Sequence, residues 1–377
     1  MTIRGTDPAT VRAAIEDRDP LPGTAGFAGA IDDRLVRDVL GRVPLFIEGA
    51  PNSLEAGEPE PDRPTRWAFD PTELRSPELV PAGSVSTSPD GRETERVWEL
   101  PDPTPADDHD TALEALSRGI QNAVSTMETD NAAVAFSGGV DSALVAELLD
   151  APLYVVGFPD SHDVEAARTA AAAMDRDLTV VELEPADLER AVPKVARATG
   201  RTNAMDVQIA LGLYLVAERV AEDGFDRLAV GQGADELFGG YEKVVRLDHR
   251  VAAETVRGAV RESIATLPAQ LPRDVCAITA AGVDPVAPLL HDDVVDAALG
   301  LPEGLLADDQ MRKKGFRTVA ADYVPREIAY RDKKAVQYGS LIARELDRLA
   351  RQAGYKRRMD DHVTKYIESL LEESTLE

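Results

Sequence analysis

The chain has 377 residues, 44% of them hydrophobic, with 41 basic against 68 acidic side chains and a formal net charge of −27. That length allows two ordinary domains or one large one, and the apolar share is enough for a sizeable core. The acidity and the lack of a basic stripe exclude a nucleic-acid binder, and the lack of a long apolar window excludes a membrane-spanning segment.

MTIRGTDPATVRAAIEDRDP lacks a charged-then-apolar leader pattern, so a soluble cytoplasmic protein is expected. Of the 41 bases only 8 are Lys and 33 are Arg, an acid-rich, Lys-poor composition that resembles the surfaces of cytoplasmic proteins from salt-accumulating halophiles. High ionic strength would screen its self-repulsion. Cys276 is the single cysteine, which excludes an internal disulfide and a four-Cys zinc cluster. Its setting, VCAITAAGV, predicts buried packing.

Residues 50–110 alternate Pro-, Asp- and Glu-rich stretches with short apolar pieces, the texture of hairpins and loops. PDPTPADDHD reads as a linker, placing a boundary near residue 105 between a small, mainly β domain (1–105) and a larger one (106–377). From Thr111 the pattern changes. ALEALSRGIQNAV has helical spacing, and NAAVAF is a short unbroken apolar run suited to a strand buried on both faces. Helices SALVAELLD, VEAARTAAAAM, DLERAVPKVARATG and VQIALGLYLVAERVAED then alternate with strands PLYVVGF, LTVVEL and DRLAVG. An α/β fold follows, with a parallel sheet covered by helices on both faces. Beyond residue 247 only helical patterns are read, among them VAAETVRGAVRESIATL, DDVVDAALGL, GFRTVAADYV, SLIARELDRLARQAG and IESLLEES.

Two small-residue turns end two of the predicted strands, where open parallel sheets bind ligands. In SGGVDS, the N–H groups of Ser137, Gly138 and Gly139 can face an anion at the start of a helix, and the Ser137 and Ser142 hydroxyls add donors. Asp141 would repel a bare phosphate, and it makes sense if magnesium bridges the two. The loop is neither GxxxxGK[ST] nor GxGxxG. It resembles the pyrophosphate loop SGGxDS of the ATP pyrophosphatases, which implies an adenine nucleotide alpha hydrolase-like fold and the splitting of ATP to AMP and pyrophosphate.

The second turn, LAVGQGADELFGGY, resembles the GxGxDExFGGY segment of asparagine and β-lactam synthetases. That resemblance implies Asp235 as the second magnesium carboxylate, with Gly231 beside the nucleotide. GFPDSHDVEAA is similar to the family's GxxxSxDxxxA segment, which places Val156 and Gly157 near adenine and matches Ser161 and Asp163. MRKKGFRTVAADYVPREIAYRDKK resembles KxxLRxxxxxxxPxxIxxRxK and puts Lys313 where the family contacts pyrophosphate, with Lys314 as a solvated neighbour. A cation there offsets charge on the departing group.

The first hundred residues resemble, in order, the latter part of the glutaminase domain that precedes such synthetase domains, at about half its length. Thr2 stands where that domain's Cys nucleophile would be, so glutamine hydrolysis is not expected and ammonia would arrive free or from a separate glutaminase. Inside the larger domain, Gln232 replaces a Glu thought to act on ammonia, and a neutral amide is no general base. Gln208 and Val286 stand where the family has arginines facing its substrate. The resemblance implies an ATP- and magnesium-dependent ligase that adenylates a carboxylate, aspartate by default, and forms an amide. An altered acceptor, as in β-lactam synthetases, and a non-catalytic nucleotide-binding subunit remain open, and a homodimer is admitted but not required.

Overall fold

The computed structural model describes residues 2–49, 66–88, 91, 93–331, 341–358 and 360–376. The acidic, Pro-rich run 50–65 and the Lys333–Lys334 end of the RDKK match lie outside the described residues.

The amino-terminal hundred residues hold β1 (Thr2–Arg4), α1 (Pro8–Asp17), β2 (Ala28–Ile31), β3 (Arg34–Arg37), β4 (Phe46–Glu48), β5 (Trp67–Ala68), β6 (Pro77–Leu79), β7 (Ser84–Ser86) and β8 (Thr94–Arg96). They form two antiparallel sheets, ordered β1-β2-β3-β7-β8 and β5-β4-β6. Between these sheets Ala28, Leu35, Leu45, Ile47 and Val80 form a small buried cluster, and the remaining apolar surface is shared with the larger part. Val11, Phe27, Val36 and Trp98 join Leu116, Ile120, Phe136 and Val294 of the larger part in one apolar cluster. Trp98 meets Phe27 edge-on at 5.5 Å while its indole N–H donates to the Ala14 carbonyl, satisfying the one polar atom that its burial would strand.

The larger part opens with α2 (His109–Thr126), capped by the Asp108 carboxylate on the Thr111 N–H. There follow β9 (Ala132–Ala135), α3 (Val140–Leu149), β10 (Leu153–Gly157), α4 (His162–Ala173), β11 (Leu178–Glu182), α5 (Pro185–Thr199), α6 (Ala204–Glu222) and β12 (Arg227–Ala229). These agree with the alternation read from the sequence. Next come α7 (Ala234–Phe238), α8 (Glu242–Arg246), α9 (Val256–Ile264), α10 (Leu267–Thr279), β13 (Asp284–Val286), α11 (Asp292–Leu299), α12 (Lys314–Ala320), α13 (Arg326–Ala329), α14 (Ile342–Gln352) and α15 (His362–Leu376).

The sheet is parallel throughout, in the order β11-β10-β9-β12-β13. From central β9 the chain winds outward through β10 and β11, then returns to β9's other side as β12. The direction of winding reverses at β9, so its carboxyl end beside β12 is the switch point where such sheets open a crevice.

Two expectations need correction. The carboxyl-terminal third is not purely helical, because Asp284–Val286 forms the fifth strand. Pro285 has no N–H to donate, and an edge strand paired on one side only can accept that. VAAETVRGAVRESIATL is also not one helix. It ends as α9 at Ile264, and α10 follows with Pro268 in its first turn, where a missing N–H is harmless, and Pro272 inside it. Cys276 lies on α10 against Phe46, Ala68 and Leu74, with its thiol pushed up to about 12 by burial. Among the described residues no helix is long and apolar enough to cross a membrane.

A buried polar chain ties the two parts together. Arg42 pairs with Asp38 at 2.8 Å and, across the junction, with Asp292 at 2.7 Å. The second Asp292 oxygen accepts from the Thr24 N–H at 2.7 Å and its hydroxyl at 3.0 Å. Asp292→Asn would keep the Thr24 bonds only by turning its NH₂ toward the Arg42 guanidinium, donor against donor. A loss of about 2 kcal/mol is expected, measured as a lower midpoint in denaturant unfolding.

Candidate active site

The SGGVDS turn leaves β9 and enters α3, with Gly139 at the helix N-cap and Asp141 in its first turn. Ser142 lies inside the loop, where its Oγ accepts from the Ser137 N–H at 3.2 Å and contacts the Gly139 carbonyl oxygen at 3.2 Å. Ser142 thus closes the turn, while Ser137 is exposed at its mouth. At the carboxyl end of the neighbouring strand, Val156 and Gly157 finish β10, and Ser161 caps α4 through the Val164 N–H. Both lie at the same end of the sheet as the turn.

From the other side of the crevice comes the GQGADE segment after β12. A Cβ on Gly231 would sit 2.9 Å from Asp141's carbonyl carbon and Cβ, so only glycine lets the two loops touch here. Asp235, on α7, completes a pair of carboxylates with Asp141. Lys313 lies between them. Its Nζ is 2.8 Å from both Asp141 oxygens and 2.6 Å from Asp235 Oδ1. The lysine is 2% exposed and holds φ at 57°, a left-handed conformation that costs a side-chain-bearing residue roughly 1–3 kcal/mol and gathers at functional sites.

Surrounding groups fix this triad. The Gly240 N–H donates to the Asp235 carbonyl at 2.8 Å, and the Gly240 carbonyl accepts from Arg312 at 3.0 Å. Buried Arg317 donates to the carbonyls of Arg312, Ala329 and Arg331, holding the turn that carries Lys313. Lys314 instead pairs with Asp308 away from the triad. Next to Asp235, Glu236 is buried and accepts from the Tyr241 hydroxyl, and desolvation raises its carboxyl pKa. A Cβ at Gly240 would fall 1.9 Å from Asp235 Oδ1 and 2.5 Å from Lys313 Cε. Gly240→Ala is therefore expected to split the triad at a cost of about 1–3 kcal/mol and to remove nucleotide binding, measured by calorimetric titration with ATP.

The donor set fits a magnesium–pyrophosphate unit. Two carboxylates from separate loops already converge on one cation, and a hard divalent ion takes one or two carboxylates together with phosphate oxygens. The arrangement can hold a metal-bound triphosphate while Lys313 supplies a further positive charge.

The other end of the GQG loop meets a network that the sequence did not reveal. The Gln232 amide Nε2 donates to Asp274 Oδ2 on α10. Asp274 is ion-paired with Arg273 at 2.6 Å, Arg273 with Asp206 at 2.7 Å, and Asp206 with Arg201 at 2.9 Å. Gln208 is half-buried on α6, two residues beyond Asp206, and Val286 is a buried strand residue paired with Ala229. The structure thus brings Ser137, Gly138, Gly139, Asp141, Ser142, Gly231, Asp235 and Lys313 to one crevice, with Gln232 turned toward α10. Arg273 could have been suspected, being the only Lys or Arg between residues 262 and 311 and lying in an apolar stretch.

Comparison with known proteins bears on this geometry. The asparagine synthase family pattern matches residues 115–265 and 252–375. A Methanocaldococcus jannaschii protein with a provisional name as a glutamine-hydrolysing asparagine synthetase is 30% identical over 295 residues, covering 68% of this chain and 54% of that one. Asparagine synthetase B of Escherichia coli is 23% identical over 285 residues, covering 69% of this chain and 51% of its own length. An asparagine synthetase of Arabidopsis thaliana is 23% identical over 250 residues, covering 60% and 42%. The chain spans about half the length of these curated relatives. From the crevice and the extent of these matches together, the chain belongs to the asparagine synthase family.

Proposed function

We propose that this protein is an ATP-dependent ligase that adenylates a carboxylate, aspartate by default, and passes the acyl group to ammonia, releasing an amide, AMP and pyrophosphate. The observation that carries the reading is the convergence of Asp141, Asp235 and Lys313 beside the Ser137–Gly139 turn at the switch point of the sheet. Asp141 and Asp235 would hold magnesium, which supplies charge compensation on the pyrophosphate. The turn orients the phosphates, Val156 and Gly157 lie where adenine would be read, and the Lys313 ammonium offsets charge that grows on the leaving group.

Nitrogen comes as free ammonia or from a separate glutaminase. The amino-terminal part, taken as residues 1–105, is glutaminase-like, and in it Thr2 lies exposed on β1, with its Cα paired to Ala30. It covers apolar surface of the larger domain, 106–377. A second reading changes only the acceptor, as in a β-lactam synthetase-like enzyme. It is favoured by the neutral Gln208, Gln232 and Val286 and by the pairing of Arg201 and Arg273 with aspartates.

The deciding assay measures pyrophosphate release from ATP and magnesium in concentrated KCl, which screens the net charge of −27, with ammonium present and aspartate added or withheld. Aspartate-stimulated release with asparagine as product supports amidation. Release only with another carboxylate or amine moves the function to the second reading. Tight ATP binding without release under any condition leaves a nucleotide-binding subunit.

A further inference from the structure

The acceptor end of the crevice raises a question about charge. Position 232 holds a neutral amide, yet its Nε2 is hydrogen-bonded to a carboxylate, Asp274 Oδ2, which is only 3% exposed. A carboxylate is not buried so deeply without compensation. Arg273 supplies it through Nε to Oδ1 at 2.6 Å and Nη2 to Oδ2 at 3.1 Å. The compensation then continues outward. Arg273 Nη1 donates to Asp206 Oδ1 at 2.7 Å, and Asp206 Oδ2 accepts from Arg201 at 2.9 Å and from the Asn203 amide at 2.7 Å.

The signs alternate from Asp274 to Arg273, Asp206 and Arg201, so the four charges sum to zero. Both arginines have carboxylate partners, and neither offers an uncompensated positive charge to an anionic acceptor. At the inner end the bond to Asp274 fixes which way the Gln232 amide faces. Its NH₂ points at the buried carboxylate, and among the described residues its Oε1 takes no hydrogen bond. That oxygen is an acceptor suited to an N–H group, in the negative field of the carboxylate behind it.

Resting on the ligase reading above, we propose that Gln232 and Asp274 form one acceptor-positioning unit, in which Asp274 carries the negative charge and Gln232 Oε1 receives an N–H of the incoming amine. Asp274 is a positioning residue acting through Gln232. A glutamate at 232 would then be unwelcome while Asp274 remains, because two carboxylates would meet where one donor and one acceptor now pair.

The test uses Gln232→Glu, Asp274→Asn and the double variant in the full chain, measured in concentrated KCl. In amide formation, Asp274→Asn should raise the KM for ammonium at least tenfold, well beyond any change in ATP–pyrophosphate exchange. Adding Gln232→Glu should bring that KM back to within about threefold of the parent by returning the charge to the loop. An unchanged ammonium KM, or equal changes in KM and exchange, overturns the proposal. Should the parent form no amide with ammonium, the ligase reading fails, and the shared charge is read from thermal melting instead. A drop in Tm with Gln232→Glu that Asp274→Asn reverses then supports only the charge coupling of the two residues and overturns the acceptor role, whereas additive drops overturn both.

Discussion

Asp141→Asn and Asp235→Asn should each lower pyrophosphate release by a factor on the order of 10³ while leaving the protein folded. The two carboxylates reach the same cation from different loops, Asp141 from the first turn of α3 and Asp235 from α7. Losing either would leave one carboxylate to hold the magnesium that, in the proposed reaction, compensates charge on pyrophosphate. Folding is protected because Lys313 keeps one carboxylate partner in each single variant. Removing both is a different matter, since a buried ammonium would then stand against two neutral amides, at a cost of about 3–5 kcal/mol. Thermal melting and pyrophosphate release, measured on the two single variants and the double, separate these effects. Near-parental release in either single variant would sink the two-carboxylate arrangement.

The two loops that meet at the crevice were legible because their information is local. SGGVDS follows an apolar run and precedes a helical pattern, so strand, turn and helix can be read within some twenty residues, and the same holds for GQGADE after β12. What sequence could not supply was adjacency. That β12 lies next to β9, so that Gly231 touches Asp141, depends on tertiary packing, in which α6 lies across β9, β10 and β12. β13 escaped notice because Asp284-Pro285-Val286 has the look of a turn, and a three-residue edge strand leaves no periodic trace. α10 was hidden by its two prolines. Asp274 and Arg273 were missed for a related reason. An adjacent Arg–Asp pair on a helix ordinarily marks a solvated face, and only the tertiary contact with Gln232 and Asp206 shows these two to be buried.

Lys313→Met should separate two consequences of one side chain. Pyrophosphate release should fall about a hundred- to a thousandfold, because the cation that offsets charge on the leaving group is gone. Divalent-cation binding without nucleotide should move the opposite way. In the parent, the Lys313 ammonium already lies within hydrogen-bond distance of both carboxylates, so an incoming divalent ion must displace a buried partner. In the variant Asp141 and Asp235 lose the ammonium that they share, and relief of their mutual repulsion adds to the affinity for a metal. Manganese titration followed by electron paramagnetic resonance should therefore show at least tenfold tighter binding in Lys313→Met. Added manganese should also raise the variant's Tm more than the parent's, because a ligand that binds only the folded state stabilises it by mass action. Equal manganese affinity in the two proteins would mean that the lysine does not compete for the metal's place. With the predicted pattern, the Lys313 ammonium and a divalent ion compete for the same two carboxylates, Asp141 and Asp235.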